Sequence, residues 1–512
     1  MEENVVENNV DTEKRTISRG SILLLAGCII LGILFDVLFY GKPFGISYPL
    51  FVLGFYGVLL WNLKENIVFK WDFAWILSIP ILALSLTYLI YSNLIFKVLN
   101  FFAVPFLILV QTTLISKNNK YQWYAIKFVE DLGYSIFVKP FKNISKPFQM
   151  IGELISSKSK NKKVAIISKI FIGLLISIPL VMMVVVLLSS ADQVFQHYTE
   201  NILNFINSIS LNEFTGRTLI ALLVSLIIFS YIFSLITSKV KEVKEGEITV
   251  PLILDKVIMV TVLSTINLIY IFFVYIQFAY LFGGANYALP PSFTHSEYAR
   301  RGFFELVVVT LINLSVLLVN LNLAESMSKI VNKISRILNS LLVVCTSIML
   351  YSAHFRMSLY EQAYGYTYLR ILTHAFMIFI FALLLTSLYK IWETKVSLAK
   401  AYIVIAITAY VILNYVNIDV VIARNNFERF QKTKHIDVGY ISILSYDAVP
   451  WLIELMNDKN KDIAVEAQNS LYNKKQELSE NNYWQSFNIS NYFAKTKLSK
   501  LNLKYKEMRQ ER

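Results

Sequence analysis

The sequence predicts an all-α protein, a polytopic transmembrane helix bundle of about eleven spans with a small C-terminal helical domain. Charged residues make up only 16% of the 512 residues, against roughly 25% in an average soluble domain. Apolar residues are gathered in runs of about 18 to 25, the length at which a helix crosses a bilayer. Lys and Arg residues collect between those runs. Lipid is therefore the solvent that this composition fits.

Eleven apolar runs delimit the predicted spans in chain order. The second run has only about fourteen strongly apolar residues, which also suits an interfacial or re-entrant segment. The predicted spans cover residues 21–39, 48–61, 73–91, 97–114, 167–188, 218–237, 257–282, 303–323, 337–354, 367–388 and 401–417.

The Lys and Arg residues of the short loops predict the orientation, because such loops stay on the cytoplasmic side during insertion. Segment 116–166 carries ten lysines, whereas segment 190–217 has only Arg217 as a strong base. We therefore expect an inner-membrane protein with a cytoplasmic N-terminus and an extracytoplasmic C-terminus. The predicted domains are a cytoplasmic tail (1–20), spans one to four (21–115), a basic cytoplasmic loop (116–166), spans five to eleven (167–417) and an extracytoplasmic helical domain (418–512).

The basic loop also predicts a partner. Aromatic and aliphatic residues alternate with its lysines, a pattern that suits an interfacial helix on anionic lipid headgroups. The alternative is topogenic charge with loop aromatics at headgroup level. The expected partners are the lipid bilayer, anionic headgroups and an extracytoplasmic protein, and nucleic acid is excluded because the basic residues form no binding stripe.

Composition changes after Asn417 to mixed charge with moderate apolar periodicity, which indicates a domain boundary. The first predicted helix there begins with Asp447 as N-cap and Pro450 in its first turn. Further helices are predicted at 461–476 and 492–508, and the first two resemble one helical pair of the HEAT type.

Polar residues concentrate at the predicted outer ends of the eighth, ninth and tenth spans, where charge near hydrocarbon is costly. Arg301 and Glu305 lie four residues apart, as do Arg370 and His374, so each pair shares a helix face. One hypothesis is an outward-facing cavity whose arginines hold an anionic headgroup or a phosphate-bearing ligand. The alternative is a network of ion pairs and hydrogen bonds that fixes the outer loops. The candidate ligand-binding residues are Arg300, Arg301, Glu305, Arg356, Glu361, Tyr364, Arg370 and His374.

Motifs of soluble enzymes give no further lead. The sequence contains no P-loop, no H-E-x-x-H, no G-x-S-x-G and no dinucleotide-binding fingerprint. Its two cysteines, Cys28 and Cys345, each lie inside an apolar run, and the five histidines lack metal-ligand spacing. We therefore predict no cofactor, no metal and no catalytic residue.

Five short segments carry a resemblance to a bacterial family of membrane proteins. They are Arg-Gly-Phe-Phe-Glu-Leu (301–306), Tyr-Gly-Tyr-Thr-Tyr-Leu-Arg (364–370), Ile-Ala-Arg-Asn (422–425), Ile-Asp (436–437) and Leu-Ser-Tyr-Asp-Ala-Val-Pro (444–450). From the sixth or seventh span to about residue 491, the chain resembles the family called domain of unknown function 4173. The resemblance implies a multi-spanning bacterial inner-membrane protein and supplies no reaction or ligand.

Three classes of function remain open. The first expectation is a membrane sensor, scaffold or envelope-stress accessory protein whose C-terminal domain contacts a partner. The second is a transporter or lipid-handling protein with an outward-facing anion or headgroup site. The third is an intramembrane enzyme on lipid-linked substrates, with Glu305 or Glu361 as the base.

Overall fold

The structure is a computed structural model. It describes residues 19–63, 69–158, 213–237, 255–282, 303–323, 328–393, 395–480 and 483–506, with scattered positions between 173 and 196. These ranges contain helices, turns and loops and no strand.

Nine helices in the described ranges are long and apolar enough to cross a membrane, which confirms the multi-pass all-α fold. The first fifteen helices are α1 Arg19–Phe39, α2 Ser47–Leu63, α3 Phe73–Ile76, α4 Ser78–Ile90, α5 Leu94–Ile115, α6 Phe128–Gly133, α7 Lys139–Asn143, α8 Lys146–Lys158, α9 Glu213–Thr237, α10 Lys256–Phe282, α11 Phe303–Leu323, α12 Lys329–Tyr364, α13 Tyr368–Trp392, α14 Leu398–Tyr415 and α15 Ile418–Thr433. The last four are α16 Val438–Ser442, α17 Val449–Met456, α18 Lys461–Glu480 and α19 Ile489–Ser499.

Three predicted spans need comment. Helix α2 has 17 residues and is shorter than the nine spanning candidates, as its short apolar run indicated. The predicted span 167–188 falls largely outside the described residues. The ninth predicted span, 337–354, lies within α12, which runs unbroken for 36 residues to Tyr364. At 1.5 Å per residue α12 is about 54 Å long, well beyond the roughly 30 Å of hydrocarbon.

The chain divides into two compact units. The first comprises Met1–Trp75, Leu109–Asn119 and Val129–Lys241, and the second comprises Ile76–Ile108, Lys120–Phe128 and Glu242–Arg512.

In the first unit, helix α1 packs closely along α9. A Cβ at Gly32 would lie 2.0 Å from Ser225 Oγ and 2.1 Å from Ala221 O, so only glycine permits this approach. Nearby, Arg217 binds Asp36 with two guanidinium nitrogens, the closer contact being 2.8 Å. Asp36 is therefore neutralised by a partner on the neighbouring helix.

In the second unit, α12 is the central membrane helix and packs against α10, α11 and α13. Its apolar contacts are supplemented by amide and hydroxyl bonds between helices. Asn313 Nδ2 donates to Thr346 Oγ1 at 2.9 Å, and Asn320 Nδ2 donates to Asn339 Oδ1 at 3.0 Å.

The C-terminal helices α15 to α19 share an apolar core with the spans of the second unit. Ile422, Leu452 and Leu471 are fully buried in this core, and Phe96 of α5 belongs to it. The predicted N-cap role of Asp447 is wrong, because this residue lies in a 3₁₀ turn and accepts hydrogen bonds from Ser92 and Ser445.

The predicted helix 492–508 is also wrong at its end, because α19 stops at Ser499. Residues 502–506 follow outside any helix.

Candidate functional site

A short connection of three residues, 365–367, joins α12 to α13, and we call it the 365–367 corner. Gly365 ends α12 with φ of +86°, a conformation that L-residues rarely adopt. A Cβ there would also lie 2.6 Å from Asn426 Oδ1. Glycine thus brings the last turns of α12 against the first turns of α13.

Two histidines and a buried carboxylate meet beside this corner, and we call them the His-His-Glu cluster. His374 Nε2 lies 3.1 Å from Glu361 Oε2, and His374 Nδ1 lies 2.7 Å from His354 Nδ1. The side chain of Glu361 is 5% exposed and that of His374 is 14% exposed. Glu361 Oε1 is buried and has no hydrogen-bond partner among the described residues.

The cluster is a chain of groups that share protons, because each ring nitrogen either donates or accepts. With Glu361 ionised, His374 Nε2 donates to the carboxylate. A neutral His374 then accepts from His354 at Nδ1, and a doubly protonated His374 donates there instead. A proton added to His374 thus reverses the bond between the two rings, and the Nδ1 proton of His354 then moves to its Nε2.

The predicted ligand residue Arg370 is instead engaged at the corner. Its guanidinium lies 4.4 Å from the centre of the Tyr360 ring, within range of a cation–π interaction. Arg370 Nη1 also donates to the carbonyl of Gly365. These contacts match the alternative in which the outer charges fix a short loop.

Arg356 faces a different neighbour. It lies two residues from His354 and so about 200° around the helix. Its Nη2 donates to Gln277 Oε1 of α10 at 3.3 Å, and Ser352 Oγ donates to the same oxygen at 2.8 Å.

The remaining predicted residues are scattered or not described. Tyr364 is exposed at the end of α12, and Glu305 is exposed in the first turn of α11. Arg300 and Arg301 lie outside the described residues. The structure therefore brings together Glu361, Arg370 and His374.

The site hypothesis left out His354, whose spacing of seven from Glu361 puts both residues on one face of α12. That spacing was the available sequence signal.

Helix α15 holds the 365–367 corner through backbone groups. The Asn426 side chain accepts from Tyr366 N at 2.9 Å and donates to Tyr366 O at 2.8 Å, so one amide satisfies both backbone groups of that residue. Arg429 Nη1 donates to Ala363 O at 3.4 Å. Tyr440, from α16, accepts from Tyr368 N at 2.9 Å.

Asp419 forms a second polar attachment. This carboxylate is 1% exposed and accepts from Asn93 Nδ2 at 2.7 Å and from the hydroxyl of Tyr368. Asn488 of the C-terminal helices donates to Tyr88 O and Tyr91 O, each at 2.8 Å. Buried bonds thus fix the C-terminal helices to the ends of α4, α5 and α13.

The charge of Glu361 also acts on Tyr366, the corner residue that Asn426 holds. Burial raises the pKa of the Tyr366 phenol, and the charges of Glu361 and Glu428 raise it further, while Arg429 opposes them. Glu361 and two residues of α15 therefore act on the same corner residue.

Among the described residues, no group of three or more His, Cys, Asp and Glu side chains is arranged to hold a metal ion.

Comparison with known proteins identifies the family and corrects our expectation. No curated protein and no solved structure gave a significant match. The family described as "Domain of unknown function (DUF4153)" matches residues 78–455, more than half of the chain. The number 4173 was therefore wrong, and the matched region begins earlier and ends sooner than expected. The chain belongs to the DUF4153 family of uncharacterised proteins.

Proposed function

We propose that this protein is a membrane sensor that responds to protons at the His-His-Glu cluster and passes the response to its C-terminal helices. One observation supports the proposal most. The hydrogen-bonded chain from His354 through His374 to Glu361 ends one helical turn from the 365–367 corner that Asn426 holds.

The chemistry of the cluster suits such a response. Histidine is the side chain whose ordinary charge change falls between pH 5 and 8. A proton on His374 reverses the direction of the His354–His374 bond and neutralises the net charge of the group. Since charge is expensive near hydrocarbon, the cluster favours a different geometry in each protonation state. The connection nearest to the cluster along the chain is the 365–367 corner after Glu361.

The placement of charge favours sensing over the two other classes. Glu361 is shielded, with a 5% exposed side chain, so a lipid-linked substrate has little access to it as a base. Arg370 already has the Tyr360 ring and the Gly365 carbonyl as partners, which weakens its candidacy as a headgroup ligand.

The test is amide hydrogen exchange of the full chain in lipid nanodiscs at pH 5.5 and pH 7.5, corrected for the intrinsic pH dependence. We expect the protection of α15 and α16 to change by about tenfold or more between these values, which corresponds to about 1.4 kcal/mol. Glu361→Gln keeps the shape of the side chain and removes its charge. This variant should lose most of the change.

The matched control is His435→Gln, which removes an exposed histidine close to α15. It should retain the full pH response. An unchanged protection in the wild type, or a response that survives in Glu361→Gln and disappears in His435→Gln, would refute the proposal.

A further inference from the structure

Helix α18 holds a short stretch of backbone by side-chain bonds alone. Asn469 Nδ2 donates to Lys506 O at 2.7 Å and Asn469 Oδ1 accepts from Lys506 N at 2.8 Å. Gln468 Nε2 donates to Lys504 O at 2.6 Å, and Lys475 Nζ donates to Leu501 O at 2.8 Å. We call segment 501–506 the strap.

The side chains of α18 therefore bind the strap mainly through the main-chain groups of the strap. The Asn469 amide satisfies the N–H and the C=O of one residue, as a neighbouring strand does when an extended peptide adds to a sheet. Such bonds select an extended backbone and leave the side chains to supply specificity. The Asn469 side chain is buried, so its two bonds lie largely away from water.

The strap's own side chains form an alternating pattern. Leu501 and Leu503 are half-buried and pack against the apolar core of the C-terminal helices. Lys504, Tyr505 and Lys506 are exposed. The ring of Tyr505 lies 6.1 Å from that of Tyr472 on α18, centre to centre.

An open groove of about 480 Å³ adjoins the strap. Glu466 and Glu477 line it together with Asn469 and Tyr505. Burial, and then the charge of Asp437, raise the pKa of Glu466, so a cation beside it would relieve an unfavourable environment. Lys474 also lines the groove, but its ammonium group is bound to the carbonyl of Leu444 at 2.8 Å.

We infer that α18 and the adjoining groove form a binding site for an extended basic peptide segment of a partner protein, and that the strap occupies part of it until that partner displaces it. The peptide that fits has two aliphatic residues separated by one residue, followed by an aromatic residue between lysines. Its backbone takes the bonds of Gln468 and Asn469, and its basic groups face Glu466 and Glu477. The site is independent of the proton response proposed above.

The probe is a fluorescent peptide of residues 499–506, Ser-Lys-Leu-Asn-Leu-Lys-Tyr-Lys, which contains the strap. It is added to the detergent-solubilised full chain and followed by anisotropy. Leu503→Asp weakens the strap and leaves the groove intact. It should tighten peptide binding about tenfold or more relative to the wild type. Adding Asn469→Ala should weaken binding about thirtyfold, the equivalent of two ordinary hydrogen bonds.

Gln476→Ala is the matched control, because Gln476 is an exposed amide on the same helix. Added to Leu503→Asp, it should leave binding unchanged. If Asn469→Ala compromises folding, Gln468→Ala removes a single bond and should weaken binding by about fivefold. Hydrogen exchange of the unmodified chain supplies a readout without mutation, since saturating peptide should deprotect the strap.

Three results would overturn the inference. One is the absence of binding to Leu503→Asp, which would make the strap a structural brace. The second is binding that Asn469→Ala and Gln468→Ala leave unchanged. The third is an Asn469-dependent dimer of the wild type, which would show the strap exchanged between two copies and not displaced by another protein.

Discussion

Asp419 offers the sharpest test of how the C-terminal helices are held. Its carboxylate is 1% exposed, lies in the first turn of α15 and accepts bonds from Asn93 and Tyr368. Asp419→Ala removes both acceptors at once. Glu428→Ala is the matched control, because Glu428 lies on the same helix and forms an exposed pair with Arg424 at 2.8 Å.

The expected loss follows from these contacts. Each buried polar group left without its partner costs about 1–3 kcal/mol. Asn93 is buried and Tyr368 is half-buried, and the bond that joins these two residues survives the substitution. Removing a negative charge from a helix N-terminus adds about 0.3–1 kcal/mol. The free energy of opening α15 should therefore fall by about 2–4 kcal/mol in Asp419→Ala and by at most about 0.5 kcal/mol in Glu428→Ala.

Hydrogen exchange measures this free energy directly for the amides of α15 in the full chain. A loss of 2–4 kcal/mol speeds their exchange about 30-fold to 1000-fold, and the control speeds it about twofold. Asp419→Asn should fall between the two, since the Tyr368 hydroxyl is able to turn and accept from the new amide. If Asp419→Ala exchanges no faster than Glu428→Ala, the buried attachment does not hold α15 in place.

Two further predictions concern the corner and the groove. Gly365→Ala should destabilise the corner by about 2–4 kcal/mol, because it strains the backbone and displaces the Asn426 amide, which the new Cβ would meet at 2.6 Å. Gly57→Ala is the control, because its Cβ would meet nothing within 4 Å, and it should not lower thermal stability. Glu466 has a pKa raised above the unfolded value of about 4.3, so it stabilises the fold below that value and loses this contribution as pH rises through its folded pKa. The amides of α18 should therefore be protected from hydrogen exchange equally in Glu466→Gln and the wild type at pH 4, and better in Glu466→Gln at pH 7. Glu480→Gln is the control, because Glu480 is exposed at the end of α18, and its protection should equal that of the wild type at both pH values. Equal protection of Glu466→Gln and the wild type at pH 7 would contradict the raised pKa of Glu466.

The spans were predictable because a helix in lipid must satisfy its own backbone, so a long apolar run has few alternatives. The end of α12 was not, because hydropathy falls after residue 354. The helix continues because the Arg356 guanidinium donates to the Gln277 side chain and the Glu361 carboxylate forms a hydrogen bond with the His374 ring. Both partners lie on other helices, Gln277 on α10 and His374 on α13.

The site hypothesis was limited for the same reason. Spacing of four correctly placed Arg370 and His374 on one helix, but their partners come from other turns. His374 binds Glu361 and His354, whereas Arg370 binds the corner carbonyl and the Tyr360 ring. Sequence periodicity shows which residues share a face of one helix. It does not show which residues of a neighbouring helix contact that face.

The strap escaped prediction because its composition resembles a helix. Residues 492–508 are rich in Lys and Leu, which favour helices. The amides of Gln468 and Asn469 instead bond to backbone groups of the strap, which lies outside any helix. Local propensity is a weak preference that such tertiary bonds readily exceed.

The proposed sensor requires a minimum difference in proton affinity between the state in which the corner is held and the state in which it is released. Residues 364–370 include the 365–367 corner, and residues 444–450 include Tyr446 and Asp447, which bond to Ser92. These two motifs thus lie at the attachment of the C-terminal helices, whereas residues 303–306 of the first motif begin α11. To shift that attachment from about one-tenth to nine-tenths released, protonation must supply about 2.6 kcal/mol. The His-His-Glu cluster must therefore bind a proton about a hundredfold more tightly in one state than in the other.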